Sequence, residues 1–183
     1  MSTTRRQLIG RSMVVAGGAT LPSSLLAAAP ALAQESDETD ALERVVDLEF
    51  AAELAYSLAA EDAKLDPETK KAFELFATHC GDHATALSEA LDQLGVDPPE
   101  EQSDPADYER LADFDADADE KDVVEFMIGL EEELIAVYED ETATMEADDL
   151  VRSVAQIGAA HAQMLVALRL LSGVASGKLT RLP

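Results

Sequence analysis

The chain has 183 residues, of which 47% are hydrophobic and 28% charged, and its 38 acidic residues outnumber 13 basic ones to give a net charge of −25. A surface this acidic repels nucleic acids and anionic membrane surfaces, so neither is an expected partner. The single cysteine excludes an internal disulfide. The hydrophobic content is too high for a disordered chain.

The first 33 residues have the layout of a secretory signal: a basic start, an uncharged stretch over 12–33, and a small-residue ending at Ala33. The pair Arg5 and Arg6 resembles a twin-arginine (Tat) signal. This predicts a signal peptide over 1–33, the Tat machinery as an export partner, and an extracytoplasmic location, whether periplasmic, cell-surface or secreted. An uncleaved anchor is the alternative, because 22 uncharged residues could span a bilayer. No later stretch is expected to span one.

Cleavage after Ala33 would leave a domain over 34–183 with 10 basic and 38 acidic residues, a formal charge of −28. Only five lysines are present in the whole chain. An acid-rich, lysine-poor surface resembles those of salt-in halophiles, where molar salt shortens electrostatic screening to about 3 Å. An acidic surface that binds cations is the alternative interpretation.

Beyond the signal the pattern is helical throughout, with no run of period two long enough for a strand. Four helices are predicted, over about 40–63, 67–95, 120–145 and 149–172. The first and last connections are short, whereas about 25 residues rich in proline and acid separate the second and third helices, with a short helix around Tyr108–Leu111. Short links favour antiparallel neighbours. The order therefore predicts an all-α four-helix bundle of two αα-hairpins with a long crossover connection.

The two predicted hairpins repeat each other in sequence. LEFAAELAY in the first helix parallels LEEELIAVY in the third, and HATALSEALDQLG in the second parallels HAQMLVALRLLSG in the fourth. Glu49 and Tyr56 of the first helix match Glu131 and Tyr138 of the third. In the same way, His83 and Gly95 at the second helix match His161 and Gly173 at the fourth. This doubled register resembles the ferritin-like superfamily, including its rubrerythrin-type and small exported members, over about residues 38–172. The resemblance implies the same ferritin-like bundle.

Helical spacing points one carboxylate and one imidazole of each hairpin along an apolar face. Glu49 lies about 15 residues before the first turn and His83 about 18 after it, so their levels differ by only ~4 to 5 Å. Glu131 and His161 are placed similarly about their own turn. Because buried charges need a partner or a cation, two interpretations stay open. The pairs Glu49–His83 and Glu131–His161 are internal ion pairs, or all four residues converge on one metal ion.

The resemblance implies a dinuclear site built partly from Glu-x-x-His on two helices. Here Cys80 stands three residues before His83, and Gly158 stands three before His161. Two carboxylates are therefore missing, and a full di-iron centre is not expected. A single Fe, Zn or Mn ion is expected instead, since imidazole and carboxylate suit these metals. The predicted ligands are Glu49, His83, Glu131 and His161.

The favoured function is an exported ferritin-like protein with this reduced metal site, in iron or peroxide handling. A metal-free structural or interaction module of the cell envelope is the alternative, and a homo-oligomer is compatible with both. His79, Cys80 and Glu53 are reserve candidates for the site. Cys80 is expected to be a small buried hydrophobe rather than a nucleophile. Gly81 and Gly158 are expected to permit a bulge or a close approach of helices.

Overall fold

A computed structural model of the protein describes residues 25–61 and 64–173, with side chains from residue 37 onward. The chain divides into two compact units between Ala33 and Gln34. Of the first unit, the described part is 25–33, which is helical. Most of the expected signal peptide thus lies outside the described residues, and its assignment stays a prediction.

Four α-helices make up the described chain: α1 (Leu25–Glu61), α2 (Pro67–Leu94), α3 (Glu120–Thr142) and α4 (Asp148–Leu171). Two short 3-10 helices, Pro105–Asp107 and Glu109–Leu111, lie in the long connection where a short helix was expected. The described residues contain no strand. The predicted all-α four-helix bundle is therefore confirmed.

The helix ends follow local sequence signals where such signals exist. At the start of α2, a side-chain oxygen of Asp66 accepts a hydrogen bond of 2.8 Å from the backbone N–H of Glu68, and Pro67 occupies the first helical position. At its end, Gly95 adopts a φ of 81°, a left-handed conformation that glycine tolerates best. The start of α1 differs from the prediction by 15 residues: the helix continues through Pro30, a residue that disfavours helix interiors, in a stretch otherwise rich in alanine and leucine.

Contacts between the helices establish their directions. In the contacts between α1 and α3, the earlier residue of α1 meets the later residue of α3 and the later residue of α1 meets the earlier residue of α3, so these helices are antiparallel. The first turns of α2 and α3 are joined, so these two run the same way, as the long crossover requires. The contacts are Arg44 with Glu141, Tyr56 with Glu131, and Thr69 with Glu120.

Helix α4 is apolar on more than its buried side. Among the described residues it is the one helix long and apolar enough, by length and composition alone, to cross a membrane. We expected no stretch after the signal to be long and apolar enough to span a membrane, and by length and composition this expectation was wrong. In the bundle one face of α4 is buried, through Val154, Ile157, His161, Met164, Leu165 and Leu168.

Candidate metal centre

The four residues singled out by the sequence meet in the interior of the bundle. Glu49, Glu131 and His161 are fully buried, with 0% of each side chain exposed. His83 lies beside them with 18% of its side chain exposed. One residue comes from each helix, so the site depends on all four.

His161 is the centre of this cluster. Its Nδ1 lies 2.9 Å from Oε2 of Glu131, and its Nε2 lies 2.8 Å from Oε1 of Glu49. An imidazole that bonds two carboxylates carries a proton on each nitrogen. One histidine thus bridges both glutamates, whereas the ion-pair interpretation expected each histidine to serve the glutamate of its own hairpin.

Two tyrosines complete the network. The hydroxyl of Tyr56 donates to Oε1 of Glu131 over 2.6 Å, and the hydroxyl of Tyr138 donates to Oε1 of Glu49. Each glutamate is therefore held by the tyrosine of the other hairpin. The Tyr138 ring also stacks on His161, with centroids 5.4 Å apart. Sequence reasoning used the tyrosines only to mark the repeat. The doubled Glu and Tyr spacing was the signal that could have assigned them to the site.

Hydrogen bonds and neighbouring charges outweigh burial in determining the pKa values of Glu49 and His161. Burial alone would raise the pKa of Glu49, but the hydrogen bond from His161 and the attraction of His161 and His83 lower it to about 2. Burial alone would lower the pKa of His161, but Glu131 and Glu49 raise it to about 10. Near neutral pH the core therefore holds a carboxylate and an imidazolium. Burial, then the nearby glutamate charges, raise the pKa of Tyr56 well above its usual value, so it stays a hydroxyl donor.

Two atoms of the cluster are buried without a hydrogen-bond partner: Oε2 of Glu49 and Nδ1 of His83. That nitrogen lies 3.5 Å from Oε1 of Glu49, without hydrogen-bond geometry. Leaving a buried polar atom unsatisfied costs about 1–3 kcal/mol. Ligand atoms of Glu49, His83 and His161 all lie within 4.8 Å of one another. One carboxylate and two imidazoles in this arrangement fit Zn, Fe or Mn.

Glu131 lies outside this group of three. Both of its oxygens already accept hydrogen bonds, one from Tyr56 and one from His161. The structure thus brings all four predicted ligands together but places three of them around a common point. The predicted ligand set itself stays a prediction.

The reserve residues lie near the cluster without joining that group. The rings of His79 and His83 have centroids 6.5 Å apart. Glu53 lies against Gly81, where an added Cβ would come within 2.8 Å of the carboxylate. Burial, then nearby acidic charges, raise the pKa of Glu53. Cys80 is buried, and burial followed by nearby glutamate charges raises the pKa of its thiol, which disfavours a nucleophilic thiolate.

Gly158 permits a close approach of α3 and α4, as expected. A Cβ at this position would lie 3.1 Å from Cβ of Tyr138. Tyr138 therefore occupies space beside the position where the ferritin-like dinuclear pattern has a second glutamate. The close contact at Gly158 holds Tyr138 against His161. The glycine that replaces a carboxylate at this position therefore helps to set the geometry of the remaining site.

Comparison with known proteins identifies the family. A family model for the ferritin-like domain matches residues 37–173. No curated protein matches the chain in sequence. A conserved hypothetical protein, Rv2844 from Mycobacterium tuberculosis, is similar in structure with a TM-score of 0.65 and 14% identity, over 74% of this chain and 97% of that one. A dodecameric thioferritin, the bacterioferritin-related protein from Bacteroides fragilis, has a TM-score of 0.63 and 19% identity, over 81% of this chain and 92% of that one. The chain belongs to the ferritin-like domain family.

Proposed function

We propose that this protein binds a single divalent transition-metal ion through Glu49, His83 and His161. The observation that carries the proposal is the pair of buried atoms without partners, Oε2 of Glu49 and Nδ1 of His83. Both atoms belong to residues that, with His161, each offer one ligand atom within 4.8 Å of the others. A cation there would satisfy two atoms that the protein leaves unsatisfied.

The remaining residues of the cluster orient the ligands. A proton on Nδ1 of His161, donated to Glu131, would leave Nε2 as the nitrogen for the metal, an arrangement common among metal-binding histidines. Tyr56 in turn fixes Glu131. Tyr138 donates to Oε1 of Glu49, which leaves Oε2 for the ion.

A bound ion would supply Lewis-acid or redox chemistry with three protein ligands, and would keep coordination positions for water or a small molecule. His83 is the partly exposed member of the group, so it lies on the solvent side of the site. Together with the family membership, this supports a role in handling iron or peroxide. A full di-iron centre lacks the carboxylates at positions 80 and 158.

The test is metal stoichiometry. Purified protein in molar salt is stripped with a chelator, reloaded separately with Fe²⁺, Zn²⁺ or Mn²⁺, and measured by elemental analysis. One ion per chain is expected for at least one of these metals. His83→Ala should abolish binding, while His79→Ala, one helical turn away, should retain it. Cys80→Ser should also retain it, because the thiol is not part of the ligand group.

Two ions per chain would contradict a mononuclear site. Retention of the ion in His83→Ala, or its loss in Cys80→Ser with retention in His161→Ala, would show that the ligands are other residues. Circular dichroism of each variant separates loss of a ligand from loss of the fold.

We also propose that the protein is exported through the Tat route and acts outside the cytoplasmic membrane. The twin arginines at positions 5 and 6 and the small-residue ending at Ala33 support this. Mass spectrometry of protein from the native host should find an N-terminus at Gln34. Replacing Arg5 and Arg6 by Lys should retain the protein in the cytoplasm, and an intact N-terminus in the wild type would instead indicate an anchor.

A metal-free module of the cell envelope is the second candidate. It is supported by His161, whose two nitrogens both bond carboxylates and so compensate much of the buried charge without a metal. In that case no metal co-purifies, and chelation leaves the melting temperature unchanged. A metal-binding protein should instead lose melting temperature on chelation, because an ion that binds only the folded state stabilises it.

We further propose that the chain forms homo-oligomers. The similarity in fold to a dodecameric protein supports self-association. Sedimentation of the purified protein in molar salt tests this, and a monomer at every concentration would contradict it.

A further inference from the structure

The outer face of α4 is unlike the rest of this acidic chain. Residues 153–168 contain no acidic residue, lysine or arginine, although 28% of the whole chain is charged. Exposed small and apolar residues recur along this face, from position 155 to position 170, at spacings of four, three, four and four, so they form one stripe along the helix. The α4 stripe consists of Ala155, Ala159, Ala162, Val166 and Leu170.

The two halves of the α4 stripe differ in shape. Beside its first half runs an open groove of about 440 Å³ between α3 and α4, lined on the α4 side by Ala155, Gly158, Ala159 and Ala162. In its second half, large side chains project into solvent, with Val166 44% and Leu170 60% exposed. The first half of the stripe therefore borders a groove, and the second half protrudes into solvent.

We propose that the α4 stripe is the contact surface between two copies of this chain. Packed antiparallel about a twofold axis between residues 162 and 163, each copy places its protruding end in the groove of the other. Leu170 then lies opposite Ala155 of the second copy, and Val166 opposite Ala159. A twofold contact requires a patch that is complementary to itself, and large residues opposite small ones meet this requirement. The inference rests on the homo-oligomer proposed above and is independent of the metal.

Charge favours a second copy as the occupant. Two copies of a protein with a net charge of −25 repel each other wherever acidic surfaces meet. The α4 side of the contact is free of acidic residues and reduces that repulsion, while Glu139 lines the α3 side of the groove. In the twofold arrangement, residues 153–172 face the same segment of the other copy. That segment contains one arginine, Arg169, which is paired with Glu132 at 2.6 Å, and no lysine or acidic residue. A basic partner would be drawn to the acidic surface rather than to this stripe.

The size of the α4 stripe predicts how the contact depends on salt. From Ala155 to Leu170 the stripe is about 22 Å long, a short interface beside the roughly 1,600 Å² buried by a typical stable complex. Residual repulsion between the acidic copies therefore contributes noticeably to the free energy of association. The screening length is about 10 Å at 0.1 M salt and about 3 Å at 1 M, so association should strengthen in molar salt.

The first test measures self-association by sedimentation equilibrium in molar salt. Val166→Glu and Leu170→Glu should each weaken association at least about tenfold, as loss of an interface hot spot does. Leu75→Glu and Leu94→Glu are matched controls, because both leucines are about half exposed on α2, at 51% and 50%, and the charge change is the same. The controls should associate like the wild type, and helicity and metal content should be equal in all five proteins.

The second test uses cross-linking. Ala162→Cys places a thiol beside the proposed axis and should form an intermolecular disulfide under mild oxidation, since Cys80 is buried. Leu75→Cys should not. A wild type that stays monomeric in molar salt would overturn both the surface and the proposed homo-oligomer. An oligomer that the α4 variants leave unchanged would overturn the surface alone. Flotation of a monomeric wild type with neutral phospholipid vesicles, lost in Val166→Glu, would assign the stripe to lipid and overturn the inference.

Discussion

Glu49 and Glu131 occupy equivalent positions in the two hairpins but have different surroundings. Both oxygens of Glu131 accept hydrogen bonds, from Tyr56 and from His161. Glu49 uses Oε1 for its hydrogen bonds and leaves Oε2 without one. The sequence repeat predicted equal roles for the two glutamates, because a repeat cannot show which oxygen is already engaged. The structure favours Glu49 as the ligand and Glu131 as the residue that orients His161.

Substituting each glutamate by its amide tests this difference. Glu131→Gln keeps an oxygen that can accept the proton of His161 Nδ1, so metal affinity should fall about 10- to 100-fold, as for other residues that orient a ligand. Glu49→Gln removes a charged ligand and should abolish stoichiometric binding. Competition titration against a chelating dye measures both. Complete loss of the ion in Glu131→Gln would make Glu131 a ligand, as the sequence predicted.

The charges of Glu49 and His161 predict a pH window for the metal-free protein. The pKa of His161 is raised from 6.5 to about 10, so its contribution is complete below pH 6.5 and is lost as the pH rises toward 10. The pKa of Glu49 is lowered from 4.5 to about 2, so its contribution is complete above pH 4.5 and is lost as the pH falls toward 2. Stability from this pair should therefore be greatest between pH 4.5 and 6.5.

Urea unfolding of chelator-treated protein at constant molar salt measures this dependence. Between pH 6.5 and 9 the free energy of unfolding should fall by up to about 1.4 kcal/mol per pH unit. This range precedes titration of tyrosine, whose ordinary pKa is 10.0. His161→Gln should be less stable and should lose most of the slope. A wild type with constant stability from pH 6.5 to 9 would show that His161 is not an imidazolium in the folded protein.

At the scale of helices, local signals predicted the limits of α2 but not the start of α1. Asp66, Pro67 and Gly95 gave the limits of α2 almost to the residue. Residues 25–39 contain Pro30, which disfavours a helix interior, yet α1 runs through it, and the start of α1 was missed. The four inward residues followed from helical periodicity, which depends on one helix at a time. The bonds between tyrosines and glutamates of different hairpins could not be predicted, because they depend on how separate helices adjoin.

The contact between α3 and α4 predicts opposite effects for two glycine substitutions. Gly158→Ala would place a Cβ 3.1 Å from Cβ of Tyr138, so either the helices separate or Tyr138 moves on His161. Overpacking of this kind costs about 1–3 kcal/mol, and metal affinity should fall with it. Gly129→Ala on α3 is the matched control, because no atom outside its own helical backbone lies within 4 Å of the added Cβ. There, alanine should be neutral or stabilising by up to about 1 kcal/mol.

Thermal melting and metal titration of the two variants supply the measurement. If Gly158→Ala were as stable as the wild type with unchanged metal affinity, the close contact of α4 with Tyr138 would not position the site. A destabilised Gly129→Ala would show that its helix position is constrained by something other than the contacts described.

At the scale of the whole molecule, charge opposes folding while the apolar core favours it. The domain expected after signal removal carries 38 acidic and 10 basic residues. Surface ion pairs such as Arg44 with Glu141 offset little of this excess, because exposed pairs contribute about 0–1 kcal/mol each. Composition therefore predicts a dependence on salt that no single contact in the fold would reveal.

Removal of salt should loosen the protein, because unscreened repulsion among the acidic side chains then opposes compaction. Helicity and melting temperature, followed by circular dichroism from molar to millimolar salt, should both fall. Metal should be absent in one series and saturating in another, so that cation binding is separated from general screening. Equal helicity and melting temperature at both extremes would remove the halophile interpretation of the composition.

The exchange of tyrosines between the hairpins has a consequence for the symmetry of the chain. Glu49 is held by Tyr138, and Glu131 by Tyr56, so one hairpin alone would have no tyrosine to hold its own glutamate in this way. Two identical hairpins related by a twofold axis would supply both bonds. The repeated sequence and the crossed bonds thus have the arrangement that two copies of one hairpin would form about a twofold axis. The symmetry of the two hairpins ends at their histidines, because His161 is enclosed and His83 is partly exposed.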